Sequence, residues 1–457
     1  METAVQPARE REFGAPCAAF RPQPTTIEAT GIDFAQHVDL CLKTLRFGGR
    51  LAGGEIAGRL RLAYKVVDTV IAFLKREKLI EVVGAQGVVE QQYEYQLTDK
   101  GYEKASEALE RNQYVGPAPV PLAEYVRVVL EQSPRRVRVT PPQVQEALAD
   151  LELSPSLRRL IGAAVNGGHS ILLYGNPGNG KSSIAKRIAS MLGGSVLVPY
   201  AIDVGGQTVR VFDPRVHEAT EEPGLRVERR LAAMPSPDGR ERRRDGRWVI
   251  AKRPLITVGG ELTLEDLDLK YSAQTKFYLA PVQVLANGGI LVVDDLGRQK
   301  MRPEELLNRW IVPMEDGIDH YSLVSGETIE VPFEILLVFS TNLNPKDLGD
   351  EAFWRRIRHK VEVIDPDEGI FLQILKDVCE RRSIEYRPEG ARYLIDAHYR
   401  AKGRPFRAVH PRDIIGLLQD MGGYEGVQPE LTPEWLDAAV AAYFMEDEAP
   451  SAAQPAA

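Results

Sequence analysis

Four largely apolar residues, Ile171-Leu172-Leu173-Tyr174, run directly into Gly175-Asn176-Pro177-Gly178-Asn179-Gly180-Lys181-Ser182, and a helical pattern follows from Ser183 to residue 192. No other feature of the chain restricts its fold so tightly. The spacing is GxxxxGK[ST], set between a buried strand and a helix as that motif requires. Glycines let successive backbone N–H groups curl around a phosphate, and the helix that follows turns its partial positive end toward the anion. A lysine at this position carries charge to the β and γ phosphates, and the serine hydroxyl is a ligand for Mg²⁺. Residues 175–183 are therefore candidate nucleotide-binding residues, with ATP and Mg²⁺ as the implied ligands.

A second apolar strand, Ile290-Leu291-Val292-Val293, ends in Asp294-Asp295. A hydrophobic strand closing on a carboxylate is weak evidence alone, but paired with the phosphate loop it reads as the second half of a metal–nucleotide site. Asp294 and Ser182 are the candidate metal ligands. Asp295 is the candidate for polarising an attacking water. A third strand, 335–339, ends in Ser340-Thr341-Asn342, where the Asn342 amide can orient the same water from the opposite side. Further on come Phe353-Trp354-Arg355-Arg356-Ile357-Arg358 and, opening a helix, His410-Pro411-Arg412-Asp413.

The ordered set GNPGNGKS, ILVVDD, FSTN, RRI and HPRD resembles the AAA+ ATPases, across about residues 137–445. The resemblance implies an α/β P-loop NTPase core with an αβα sandwich and a small helical lid. It further implies that Asn342 is the sensor 1 residue and that Arg356 is a finger reaching the γ-phosphate of a neighbouring subunit, with Arg355 in reserve. Arg412 is then sensor 2, acting within its own subunit. An ATP-hydrolysing homo-oligomeric ring, a hexamer by preference, follows from the same likeness. One departure is that Asp295 stands where the family usually has Glu, which favours slow hydrolysis. Extra length at 205–257 and a hairpin-like stretch at 321–333 resemble the helix-2-insert and pre-sensor-1 branch. That branch includes MoxR-type chaperones, magnesium chelatase subunits and enhancer-binding transcription activators, and the hairpin spacing is nearest the MoxR type.

The 457 residues exceed one ordinary core, so several domains are expected. Residues 1–30, rich in Pro, Ala and charge, read as a disordered tail. From 31 to 114 the order is helix, helix, helix, hairpin, helix, which resembles a winged-helix domain, with a plain helical bundle as the alternative. Residues 115–136 read as a linker with one short helix, 137–364 as the ATPase core with its insertion, 365–445 as the lid and 446–457 as a second disordered tail. Hydrophobic residues at 44% and charged residues at 27% are the balance of a folded globular protein. No apolar run approaches a membrane span. The charged N-terminus lacks the apolar stretch of a secretory signal. Three dispersed cysteines, Cys17, Cys41 and Cys379, offer neither a disulfide framework nor a zinc site and point to a cytoplasmic protein.

Two charge features bear on partners. Residues 226–247 hold eight arginines against four acids, which reads either as an anionic-partner contact or as a solvated loop. In the winged-helix segment, Arg59, Arg61, Tyr64 and Lys65 open the presumed recognition helix, whereas Glu81, Glu90, Glu94 and Asp99 make the wing acidic. A wing that follows DNA should be basic, since phosphate contacts supply much of the affinity. Protein recognition is therefore set ahead of DNA binding, with an unidentified protein client to be remodelled or assembled. The alternatives are an ATP-regulated DNA-binding protein or transcription regulator, and a nucleotide switch that scarcely hydrolyses because of Asp295.

Overall fold

The computed structural model describes residues 21–85, 87–220, 243–347 and 351–444, with the side chains of 351–353 excepted. Its centre is a five-stranded parallel sheet in the spatial order Leu255–Val258, Ile290–Val293, Leu336–Thr341, Ile171–Tyr174, His359–Glu362. The strand that feeds the phosphate loop thus lies between the third and the last of its companions. Strands buried on both faces need near-continuous apolar runs. Ile171, Leu173, Ile290, Val292, Leu336 and Val338 pack toward helices Pro155–Gly167 and Lys181–Leu192 on one face. Leu172, Leu291, Val293, Leu337 and Phe339 pack toward Trp310 of helix Pro303–Asp316 on the other. The fold is an α/β sandwich, helices on both faces of a parallel sheet, and the parallel register brings the carboxyl ends of its central strands to one edge, where ligands of such sheets bind.

Beyond the sheet, helices Glu368–Arg381, His410–Glu425 and Pro433–Tyr443 enclose a separate apolar core around Phe371, Leu394, Leu418 and Leu436. At the other end of the chain, helices Phe34–Gly48, Gly53–Leu60, Tyr64–Arg76 and Asp99–Arg111 pack on a three-stranded antiparallel sheet. Strand Tyr93–Leu97 lies in its middle, between Leu51–Ala52 and Ile80–Ala85. Each long helix buries one stripe, as in Val66, Val67, Val70, Ile71 and Leu74 of the third.

Three domain expectations need correction. Residues 21–30, read as tail, are ordered. Gln23 donates to the Arg243 carbonyl at 2.8 Å, and helix Ile27–Thr30 is capped by the Thr26 hydroxyl. Residues 1–20 and 445–457 lie outside the described residues.

Residues 115–136, read as a linker, are built into a second sheet. Val120–Pro121 is its edge strand, parallel to Ala201–Val204, a position that tolerates proline because an edge N–H need not be donated. Helix Leu122–Glu131 buries Tyr125, Val128 and Val129 in the same core as Val196, Trp248, Tyr278 and Tyr321. Apolar spacing in that helix was visible in the sequence, but not what it would pack against.

The insertion also has other bounds than 205–257. The accessory strands begin at Ser195–Pro199 and Ala201–Val204, whereas Leu255–Val258 belongs to the central sheet as its edge strand. Arg253-Pro254 separates it from Trp248–Lys252, and the Pro254 carbonyl already accepts from Ile290 N–H at 2.8 Å. The hairpin expected at 321–333 is Ile318–Ser322 paired with Thr328–Pro332.

Most of the arginine-rich stretch, 226–242, lies outside the described residues. Of the remainder, Arg247 is neither solvated nor available to a partner. It is buried with Asp245, donating to that carboxylate at 2.8 Å and to the carbonyls of Thr30 and Pro119 at 2.8 and 3.2 Å. A motif of alternating arginine and acid reads as surface in a sequence; here the ion pair staples three chain segments. Tyr64 likewise packs against the N-terminal core, and its hydroxyl donates to Asp68 at 3.1 Å.

Candidate nucleotide site

The phosphate loop needs backbone angles that side chains disfavour, and the sequence supplies glycine at each such place. Gly175, Gly178 and Gly180 all have positive φ. A Cβ on Gly175 would lie 2.4 Å from the Val363 carbonyl oxygen, and one on Gly178 would lie 2.6 Å from a Val409 methyl. The loop is thus held between the end of the last core strand and the lid.

Pro177, Gly178, Asn179, Gly180, Lys181, Ser182 and Ser183 line one cavity of about 590 Å³, together with Asp294, Asp295, Asn342 and Arg412. Gly175 and Asn176 stand behind it. Their carbonyls accept from the Lys181 ammonium at 2.9 and 2.8 Å, which folds the lysine back over its own loop. Partial burial lowers the Lys181 pKa; Asp295 and Asp294 oppose this and Arg407 adds to it. The ammonium is therefore a charge that gains by meeting an anion.

Ser182 Oγ donates to Asp294 Oδ1 at 3.1 Å, so the two expected metal ligands meet although one follows the first core strand and the other the third. Two adjacent hard oxygen donors beside a phosphate cradle suit Mg²⁺, which takes few protein ligands and completes its shell with phosphate and water. The residues present fit that ion.

Asp295 occupies the left-handed region with φ 50°, a conformation that Asp tolerates better than most side chains. Asn342 Nδ2 donates to Asp295 Oδ1 at 3.0 Å. Below them Gln299 donates to the carbonyls of Asp294 and Asp295 at 2.9 and 3.1 Å, and Leu296 N–H bonds the Ser340 carbonyl at 2.8 Å. These contacts brace the acidic turn against the neighbouring strand. Nothing in the sequence marked Gln299 for this.

Arg412 is well exposed on the lid at the cavity wall and donates to Asp413 at 3.0 Å. Arg356 lies elsewhere. With Arg355 and Arg358 it lines a smaller cleft shared with Ser170 and Ile335, which precede their strands rather than follow them. Its Nε donates to Glu315 at 2.5 Å. The fold therefore brings together every expected site residue except Arg356, which lies at the opposite edge of the sheet.

The far half of the cavity was not anticipated. Leu151, Leu153, Ile370, Ile374 and Val378 line it, from the segment before helix Pro155–Gly167 and from the first lid helix. An apolar slot continuous with a phosphate cradle has the character of a base-binding pocket. Its residues sit on two distant segments without a motif, and only folding joins them. Asp365 and Arg407 were missed for the same reason.

Two family models match parts of the chain. Residues 147–197, which contain the phosphate loop, match the family model for magnesium chelatase, subunit ChlI. Residues 367–442, the lid, match a domain of unknown function, DUF8689. No curated protein matches the chain. Among solved structures, NtrX from Brucella abortus in complex with ATP is 15% identical, with 82% of this chain and 69% of that one covered and a TM-score of 0.37. The Holliday junction branch migration motor RuvB of Thermotoga maritima is 15% identical over 68% of this chain and 72% of its own, at a TM-score of 0.36. Among the described residues no helix is long and apolar enough to cross a membrane. Cys41 and Cys379 are free and buried, and burial pushes the Cys41 thiol up to about 12, so it is not a nucleophile at neutral pH.

Proposed function

We propose that this protein is an ATP hydrolase of the AAA+ type that works as a homo-oligomeric ring and uses turnover to remodel or assemble a protein partner. The observation that carries the reading is the convergence of Lys181, Ser182, Asp294, Asp295 and Asn342 on one cavity, with the Ser182–Asp294 and Asn342–Asp295 hydrogen bonds already made.

The chemistry follows from the placement. Backbone N–H groups of residues 178–182 hold the phosphates, and Lys181 exchanges its carbonyl partners for phosphate oxygens. Ser182 and Asp294 would hold Mg²⁺, which supplies charge neutralisation at the β and γ phosphates. Asp295 accepts a hydrogen bond from the attacking water and aligns it with the γ phosphorus, and Asn342 fixes the carboxylate that does so. As the water oxygen bonds to phosphorus it gives a proton to Asp295, the bond to the bridging β–γ oxygen breaks, and ADP and inorganic phosphate leave. Arg412 meets the developing charge from the lid, and Arg356 of an adjacent subunit meets it from outside.

Hairpin Ile318–Pro332 before the sensor strand supports placement in the pre-sensor-1 branch, MoxR-like in its spacing. The N-terminal unit, with helices Phe34–Gly48, Gly53–Leu60, Tyr64–Arg76 and Asp99–Arg111 on a three-stranded sheet, supports the winged-helix reading, and its acidic hairpin supports protein over DNA as the partner. Steady-state phosphate release by the full chain with MgATP tests the enzyme assignment. Release abolished by Lys181→Ala is the expected result; release unaffected by that change would refute it.

A further inference from the structure

Several carboxylates at the nucleotide cavity belong to no motif, and one of them, Asp365, touches the phosphate loop. Asp365 lies in the short connection between core strand His359–Glu362 and lid helix Glu368–Arg381. It accepts hydrogen bonds from two side chains of the phosphate loop, Asn179 Nδ2 at 2.6 Å and Asn176 Nδ2 at 3.2 Å to each oxygen. From the lid, Arg407 pairs with the same carboxylate. Asn179 is buried, and its Oδ1 accepts from the lid backbone at Ala408 N, 3.4 Å away. Burial pushes the Asp365 pKa up, but the bonds from Asn179, Asn176 and Arg407 outweigh it and the net shift is downward, so the group is held as a carboxylate.

We propose that Asp365 is a positioning residue that couples the phosphate loop to the lid, so that the shape of the loop and the placement of the lid over the nucleotide are set together. The inference rests on the nucleotide-site reading above. Phosphate oxygens are bound by loop N–H groups, not by asparagine amides. Asn176 and Asn179 therefore stay on Asp365 while a triphosphate occupies the loop. A glycine-rich loop with no such anchor has many backbone states to lose on binding. On the lid side Arg407 is mostly buried, and without Asp365 its charge would lose its carboxylate beside Gly178 and Lys181. The Val409 methyl sits so close over Gly178 that a Cβ there would lie 2.6 Å from it, so the lid and this part of the loop are packed tightly together.

The test is equilibrium binding of a fluorescent N-methylanthraniloyl ATP analogue to the full chain, with nucleotide-free melting temperatures as a folding control. Wild type should bind and Lys181→Ala should not. Asp365→Ala should weaken binding by about tenfold or more, the scale of one lost charge-assisted hydrogen bond. Asp365→Asn keeps an oxygen acceptor for one amide but no charge for Arg407, and should fall between them. It decides the matter should the alanine variant fail to fold. Arg407→Ala added to Asp365→Ala should cost little more than Asp365→Ala alone, because both changes break one coupling. Wild-type affinity in both Asp365 variants, or independent addition of the Asp365 and Arg407 effects, would overturn the coupling while leaving the nucleotide site standing. Absence of binding by the wild type would overturn both.

Discussion

Asn342 and Asp295 lie 47 positions apart, yet the amide of one donates to the carboxylate of the other at 3.0 Å. Each ends a strand of the same parallel sheet, and the register of Val293 opposite Phe339 brings the two strand ends level. A carboxylate in a left-handed turn is thereby aimed by a neighbour rather than by its own backbone alone. The pair predicts a division of labour. Asp295→Asn should retain ATP binding and lower kcat by about 100-fold or more, the range for loss of a general base. Asn342→Ala should lower kcat by about tenfold, because it removes one charge-assisted hydrogen bond and leaves the carboxylate in place. Turnover at the wild-type rate in Asp295→Asn would move the water-orienting role to another residue.

Asp294 should behave differently from its neighbour. It faces Ser182 rather than Asn342, so Asp294→Asn should weaken nucleotide affinity in the presence of Mg²⁺ and have little effect in EDTA. Titrations with and without the metal separate the two acids. Equal losses in both conditions would remove Asp294 from the metal site.

Arg356 predicts complementation. Arg356→Ala should bind ATP normally and hydrolyse it about 1,000-fold more slowly, the scale of an arginine finger in related phosphoryl transfers. Mixed with Lys181→Ala subunits it should regain activity, since those subunits still present Arg356 to a neighbour's intact site. Mixtures that co-assemble but stay inactive would argue for action within one subunit or for Arg355.

His410 predicts an acid limit. Burial first, then the nearby charges of Arg407 and Arg404, hold its pKa down at about 4 against the usual 6.5, despite the opposing pull of Asp413 and Asp365. Tyr399 and Tyr443 pack on the same ring. Above pH 6.5 the group is neutral in folded and unfolded chain alike. Below that value the unfolded chain takes up a proton that the folded lid refuses, so stability is lost as pH falls from 6.5 toward 4. Melting temperatures across this window should drop less steeply in His410→Gln than in wild type; parallel profiles would show that His410 does not set the slope.

Arg247 predicts a large loss of stability at a site remote from the chemistry. Removing it leaves Asp245 buried without its partner and strips donors from the Thr30 and Pro119 carbonyls, so Arg247→Ala should cost roughly 3–5 kcal/mol. Chemical denaturation measures it. A loss within about 0.5 kcal/mol, the range of ordinary surface changes, would place Arg247 outside the core.

The sequence alone was enough to place the glycine loop, the acidic strand end and the strand that ends at Asn342, because their local geometry depends on short-range facts. A glycine is needed where φ is positive, a lysine must directly follow the loop, and a carboxylate must end a strand. Neighbours in the chain suffice to read such facts. The same holds for the apolar stripe of helix Tyr64–Arg76. Contacts between distant segments were decided only by folding. Asp365 binds Asn179 and Arg407 because the last core strand returns beside the first, and Arg247 staples Thr30 to Pro119 because an insertion folds back on the N-terminal unit. Residues 115–136 have the prolines of a linker, and only the strand Ala201–Val204 beside them makes Val120–Pro121 an edge strand. A side chain's chemistry can be read from its type, but its partner is fixed by packing, which depends on every segment at once.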